Sequence, residues 1–227
     1  MTETATFLGE FFAKYGSLLW QGTIATLIMT FVSSALAYAL GTPLGVLLML
    51  SAPGSLRPNR TLYAILGWIV NIGRSIPFII LMVALIPLSR LIMGTSLGVA
   101  GAITPLVFAS TPFVARLIEN SLAEVPGGVI EAAQSYGAST LQIIWKVLLS
   151  EALPSIARSV PITVIAIFGY TAIAGVVGAG GLGDIAVRFG YQRYQTDVMI
   201  ATIIIMVILI QLIQTLGNVI VHRIDKR

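Results

Sequence analysis

The sequence predicts an all-α membrane protein with five transmembrane helices, and three observations carry that expectation. Apolar residues make up 57% of the chain and charged residues only 10%, against roughly 45–50% and 25% in a soluble domain. The apolar residues gather in runs that exceed the roughly 20 residues needed to cross a bilayer. The basic residues concentrate in alternate connectors, the bias that orients membrane proteins. The net charge of +4 reports that bias and does not point to nucleic acid. Cysteine is absent, which excludes disulfides and thiolate chemistry, and one histidine, His222, leaves no histidine cluster for a metal. The spans hold neither paired carboxylates nor an HExxH motif, which argues against a membrane-embedded enzyme.

Residues 1–17 form an amphipathic lead. Phe7, Leu8, Phe11, Phe12 and Tyr15 share one helical face, and Glu10 and Lys14 lie elsewhere. Such a segment lies along a membrane surface, the alternative being a frayed terminus. Glu3 and Glu10 precede the first apolar run with no basic region, so no cleaved signal peptide is expected. Everything from 18 to 227 reads as one transmembrane domain. Leu18–Leu50 is the first span, with Gly41-Thr42-Pro43 as a possible kink, and Ser51–Arg60 is a polar connector carrying Arg57 and Arg60.

The second span, Thr61–Leu88, holds Asn71, Arg74, Ser75 and Pro77 near its middle. An arginine at that depth costs at least about 2.5–3.5 kcal/mol and must face protein or a water-filled path. Pro77 frees a backbone carbonyl one turn earlier, which something else must satisfy. One reading is a broken, polar point lining a substrate route. The other is a helix that begins near Ser75, with Arg74 reaching to the membrane edge. Arg90 and the Gly94-Thr95-Ser96 turn lead to a third span, Leu97–Ile118, with Arg116 and Glu119 at its inner end. Ser155–Val177 is the fourth span and contains Tyr170. Gly178–Gly183 lacks the lysine and hydroxyl residue of a P-loop, so it predicts tight packing and not a phosphate cradle. Asp184–Asp197 reads as a polar outer loop, Val198–Val221 as the fifth span and residues 222–227 as a basic tail.

Between the third and fourth spans, residues 124–154 look soluble, and Glu131–Pro154 predicts two short helices hinged at Gly137. Glu131, Ala132 and Ala133 are expected near the start of the first, where the helix dipole favours a carboxylate. Gly137 occupies the place of a left-handed C-terminal cap. Ser139 with Gln142 has the form of a capping box that restarts the helix. From spacing alone, an ordinary loop between two spans is an equal reading. Placing this loop inside gives an external N-terminus and a cytoplasmic C-terminus. Arg57, Arg60, Arg116, Lys146, Arg158, Arg223, Lys226 and Arg227 then fall inside, and Lys14, Arg90, Arg188 and Arg193 outside.

The order Glu131-Ala132-Ala133, three residues, then Gly137 resembles the coupling loop of ABC-importer permeases, E-A-A-x3-G-x9-I-x-L-P. Later slots fall on Val147, Leu149 and Ser150, so serine stands where that family has proline. The likeness covers about residues 22–213 and implies a type I ABC-importer permease core. Asn71–Ile80, Gly94–Ser96 and Lys146–Leu149 are similar to methionine-importer permeases, for methionine of either hand, and Gly178–Gly183 is shared with phosphonate and osmoprotectant permeases. The resemblance implies a homodimer in a bacterial inner membrane, two copies of a cytoplasmic ABC ATPase, and an extracytoplasmic lipoprotein that delivers methionine. It implies no cofactor on this chain, ATP and Mg being used by the ATPase. It assigns Glu131, Ala132, Ala133, Tyr136 and Gly137 to the ATPase contact. Asn71, Arg74, Ser75, Pro77 and Tyr170 are candidates for the substrate path. A permease for a polar amino acid, phosphonate or osmoprotectant is the alternative within the class, and a channel or secondary transporter the alternative outside it.

Overall fold

The computed structural model describes residues 2–224, with side chains described from residue 9 onward. Of the sequence expectations, Phe7, Leu8 and the last three residues of the basic tail lie outside the described side chains. Every regular element among the described residues is helical: α1 Thr2–Ser51, α2 Arg60–Ser75, α3 Phe78–Ala84, α4 Ile86–Met93, α5 Gly98–Ala123, α6 Gly127–Ser135 and α7 Thr140–Ile143. After a π-helical turn at Ile144–Leu148 come α8 Leu149–Ala174, α9 Gly181–Ile185 and α10 Thr196–Ile224. Four runs are long and apolar enough to cross a membrane, and α2 with α3 makes a fifth if the pair counts as one broken span.

Where the helices end differs from expectation in four places. The lead is not a separate segment, because α1 passes through residue 17 unbroken; Gly16 costs a helix only about 1 kcal/mol. The first helix of the 124–154 segment starts at Gly127, so Glu131 lies in its second turn and the helix-dipole argument for it fails. The fourth span does not begin at Ser155. Helix runs on from Thr140 to Ala179, with Pro154 and Pro161 inside it, so the 124–154 segment feeds the fourth candidate span directly. Finally, Asp184–Asp197 is not mainly loop. Leu182 and Ile185 are buried, and that burial holds helical structure through Tyr191.

The chain divides into two compact units. One comprises Met1–Ser33, Phe78–Leu106 and Ile165–Leu212. In it the glycine-rich run makes the predicted tight packing. Gly178, Gly180 and Gly181 all take positive φ, and the Leu182 N–H donates to the buried Thr26 Oγ1 at 2.9 Å. A Cβ on Gly183 would lie 2.3 Å from the Ala172 carbonyl oxygen, so only glycine lets α9 approach α8 so closely.

The other unit comprises Ser34–Pro77, Val107–Val164 and Ile213–Arg227. Here α1 presents small residues to α5, as close-packed membrane helices do. A Cβ on Gly45 would stand 2.5 Å from the Ala115 carbonyl oxygen and 2.7 Å from Ile118 Cβ. Tyr38 shares hydrogen bonds with Ser159 at 3.0 Å and Thr163 at 3.1 Å, tying α1 to α8. Gly45→Leu is expected to destabilise this unit by about 1–3 kcal/mol through overpacking. A thermal-unfolding midpoint in detergent equal to that of the wild type would contradict this close packing.

Candidate functional site

The candidate coupling loop is built from local signals. Helix α6 ends in a Schellman arrangement, the Gly137 N–H donating to the Gln134 carbonyl at 2.9 Å and the Ala138 N–H to the Ala133 carbonyl at 3.1 Å. That arrangement needs a left-handed residue, and Gly137 has φ +77°. The capping box is present: the Gln142 N–H donates to Ser139 Oγ at 3.3 Å, and the Ser139 N–H donates to Gln142 Oε1 at 2.8 Å. Two helices hinged at Gly137 therefore exist as expected.

One face of this loop is anchored and the other is bare. Ile130, Ala133 and Ala138 pack on a core of Val114, Ile118, Leu122, Val125, Ile143 and Leu148. The C-terminal half of α5 thus holds the loop from behind. Glu131 and Ala132 are exposed, and Tyr136 is 92% exposed. Ala133, which the resemblance assigns to the ATPase contact, is half-buried and packs on that core. The Glu131 carboxylate has no partner among the described residues, and only its backbone carbonyl is engaged, by Ser135 Oγ.

The second candidate region is the end of α2. The residue before a proline is pushed out of the helical region; Ile76 is extended at φ −82°, ψ 123°, so α2 stops at Ser75 and α3 starts at Phe78. Arg74 lies in the last turn of α2, where the helix dipole favours a cation. It is exposed on this chain, with no carboxylate partner among the described residues. Ser75 Oγ donates to the Asn71 carbonyl at 2.7 Å. Within this unit Asn71, Arg74, Ser75 and Pro77 are together at one helix end. Tyr170 belongs to the other unit, stacked on Phe78 at 4.8 Å with 17° between the rings.

A family model for the inner membrane component of binding-protein-dependent transport systems matches residues 41–227. The chain belongs to that family. This permease is 50% identical to the probable D-methionine transport system permease protein MetI of Vibrio cholerae serotype O1, over 97% of this chain and 98% of the relative. It is 44% identical to the methionine import system permease protein MetP of Bacillus subtilis, over 92% and 94% of the two chains. A solved chain of the inward-facing MetNI methionine ABC transporter matches with a TM-score of 0.92 at 47% identity, over 94% of this permease and 99% of that chain. The permease is thus a multi-pass inner-membrane protein, as its composition implied.

Sequence reading left one feature of the permease without a role. Glu119 is 7% exposed and accepts from Arg116 Nη1 at 2.6 Å and from the Tyr63 hydroxyl at 3.1 Å. Arg116 Nη2 donates in turn to Asn71 Oδ1 at 3.0 Å. The network fastens α2 to α5, and it occupies the amide oxygen of a residue proposed for the substrate path. A cation and an acid three residues apart on a helix were its sequence signal; its partners Tyr63 and Asn71 are distant in sequence and gave none.

Proposed function

We propose that this chain is the membrane-spanning subunit of an ATP-driven importer that carries methionine inward by alternating access. The observation that carries the proposal is the near full-length likeness to a chain of the MetNI methionine ABC transporter, with the methionine-permease names of its relatives beside it. Two copies of the chain pair in the membrane, with about residues 22–213 as the transport core. Two copies of a cytoplasmic ABC ATPase bind beneath and consume ATP and Mg, and a lipoprotein binds methionine on the outer side. The N-terminus is outside, and the loop spanning 124–154 and the C-terminus are cytoplasmic, in line with the bias of basic residues.

Each ATPase grips the exposed face carrying Glu131, Ala132 and Tyr136, while Ala133 seats the helix and Gly137 fixes its angle. ATP binding draws the two grips together, and the permease halves rock. Coupling requires that this grip differ in affinity between the two states, because a contact equally good in both shifts nothing. Asn71, Arg74, Ser75 and Pro77, grouped at one helix end, line the path, and Tyr170, in the other unit, is assigned to it from the sequence alone. Arg74 meets the substrate carboxylate, which a guanidinium matches with two parallel hydrogen bonds.

The experiment is uptake of labelled methionine by proteoliposomes holding the permease and its ATPase, with the methionine-binding lipoprotein supplied on the outer side. ATP-dependent accumulation, not competed by phosphonate or a quaternary amine, is the expected result; accumulation without ATP would sink the reading. In the same assay Arg74→Ala is expected to lower uptake about ten-fold or more, the weight of a charge-assisted hydrogen bond, with Arg74→Lys intermediate. Wild-type uptake by Arg74→Ala would remove it from the path. Loss of the folded protein instead would make it structural.

A further inference from the structure

Beside the coupling loop, in the same unit, is a cavity of about 370 Å³. Its walls are Leu47, Leu50, Leu62, Leu141 and Ile144, and its charged member is Arg57. The backbone that carries Arg57 is held on both sides. The Arg57 N–H donates to the Leu50 carbonyl at 3.2 Å, and the Asn59 N–H to the Ser51 carbonyl at 3.0 Å. Asn59 Oδ1 then accepts from the Leu62 N–H at 3.0 Å, capping α2. The guanidinium itself has no partner among the described residues, and Arg60 follows at the first position of α2. The sequence holds no acidic residue between Glu10 and Glu119, so nothing on this connector opposes the two positive charges.

Two neighbouring features fit a place at the headgroup level of a bilayer. Leu47 and Leu50 belong to the last turns of a helix long and apolar enough to cross a membrane. Trp145, next to Ile144, is 66% exposed, and exposed tryptophan is characteristic of membrane–water interfaces. An apolar slot that opens at the interface, with an unpaired guanidinium at its rim, is complementary to one kind of molecule. That molecule has an aliphatic tail and an anionic head.

We propose that this cavity binds an anionic phospholipid of the cytoplasmic leaflet, one acyl chain against the leucines and the phosphate on Arg57. The leaflet assignment rests on the orientation proposed above. Thr140, Leu141 and Ile144 also line the cavity, so the lipid touches the helix restart that follows the Gly137 hinge. Anionic lipid therefore braces the helix restart beside the Gly137 hinge.

The test uses the intact complex of permease and ATPase, in detergent supplied with equal phosphatidylglycerol and phosphatidylcholine, read by native mass spectrometry. Selective retention of phosphatidylglycerol is expected. Arg57→Gln should lower that retention about five-fold, the weight of one basic side chain near a membrane surface, while Arg57→Lys keeps most of it. Leu141→Ser, at a residue 64% exposed, should weaken retention without disturbing the fold. Equal retention of the two lipids, or equal phosphatidylglycerol on wild type and Arg57→Gln, would overturn the proposal. So would release of the ATPase by Arg57→Gln with lipid unchanged, which would make the cavity a protein-docking surface. An impermeant thiol label on Ser55→Cys separates the two readings. Labelling from outside overturns the orientation and the leaflet together, whereas lost lipid selectivity with labelling from inside overturns the lipid site alone.

Discussion

Gly137→Val is expected to leave ATP hydrolysis running while methionine uptake falls at least ten-fold. The hinge residue has φ +77°, a region where a β-branched residue is strained by roughly 1–2 kcal/mol or more. A Cβ there would meet nothing within 4 Å, so the cost is one of backbone conformation and not of packing. The chain therefore folds and assembles, but the Schellman closure loosens and α6 loses its fixed angle to the α7 restart. Gly137→Asn should retain most uptake, because asparagine tolerates the left-handed region. The ratio of transport to hydrolysis in proteoliposomes reads the effect. Equal ratios for valine and glycine would take the hinge out of the mechanism.

Glu119→Ala is expected to be the most destabilising single change among the charged positions. It strips the partner from a mostly buried arginine and leaves the Tyr63 hydroxyl unpaired. Breaking a buried pair from one side costs about 3–5 kcal/mol; Arg116 keeps 21% of its side-chain exposure, which favours the low end. A fall of roughly 6–12 °C in Tm follows for a chain of this size. Arg116→Met combined with Glu119→Leu and Tyr63→Phe should recover most of that loss, since an apolar cluster needs neither counter-charge nor hydrogen-bond partner. If Glu119→Ala melts with the wild type, the network holds nothing.

The parts of this permease that could be read from sequence are those whose cause is local. Gly137, Ser139 and Gln142 announce their caps within four residues, and Pro77 announces the break in the second span. Gly45 carried no legible role, and the tight packing expected at Gly183 came without its partner, because what these glycines approach, Ala115 and Ala172, is set by the packing of whole helices. Pro154 misled for a related reason. It read as the end of the loop, yet helix runs past it, because tertiary packing of Ala152 and Leu148 outweighs one missing hydrogen bond. Charged residues at Asp184–Asp197 suggested an outer loop, and buried Leu182 and Ile185 made most of it helix. In the candidate site, exposure separated Glu131 and Tyr136 from Ala133, a distinction that adjacent positions in a sequence do not display.

In the proposed mechanism an ATPase levers the Glu131–Gly137 helix from the cytoplasm. A single cysteine reports on it cleanly, because the chain has none of its own, and Tyr136 is the most exposed large hydrophobic side chain of the loop. With Tyr136→Cys, an impermeant thiol reagent should label inverted membrane vesicles stripped of ATPase, fail to label right-side-out vesicles, and be blocked when ATPase is added back. Labelling from the outer face, or labelling undiminished by bound ATPase, would contradict the lever.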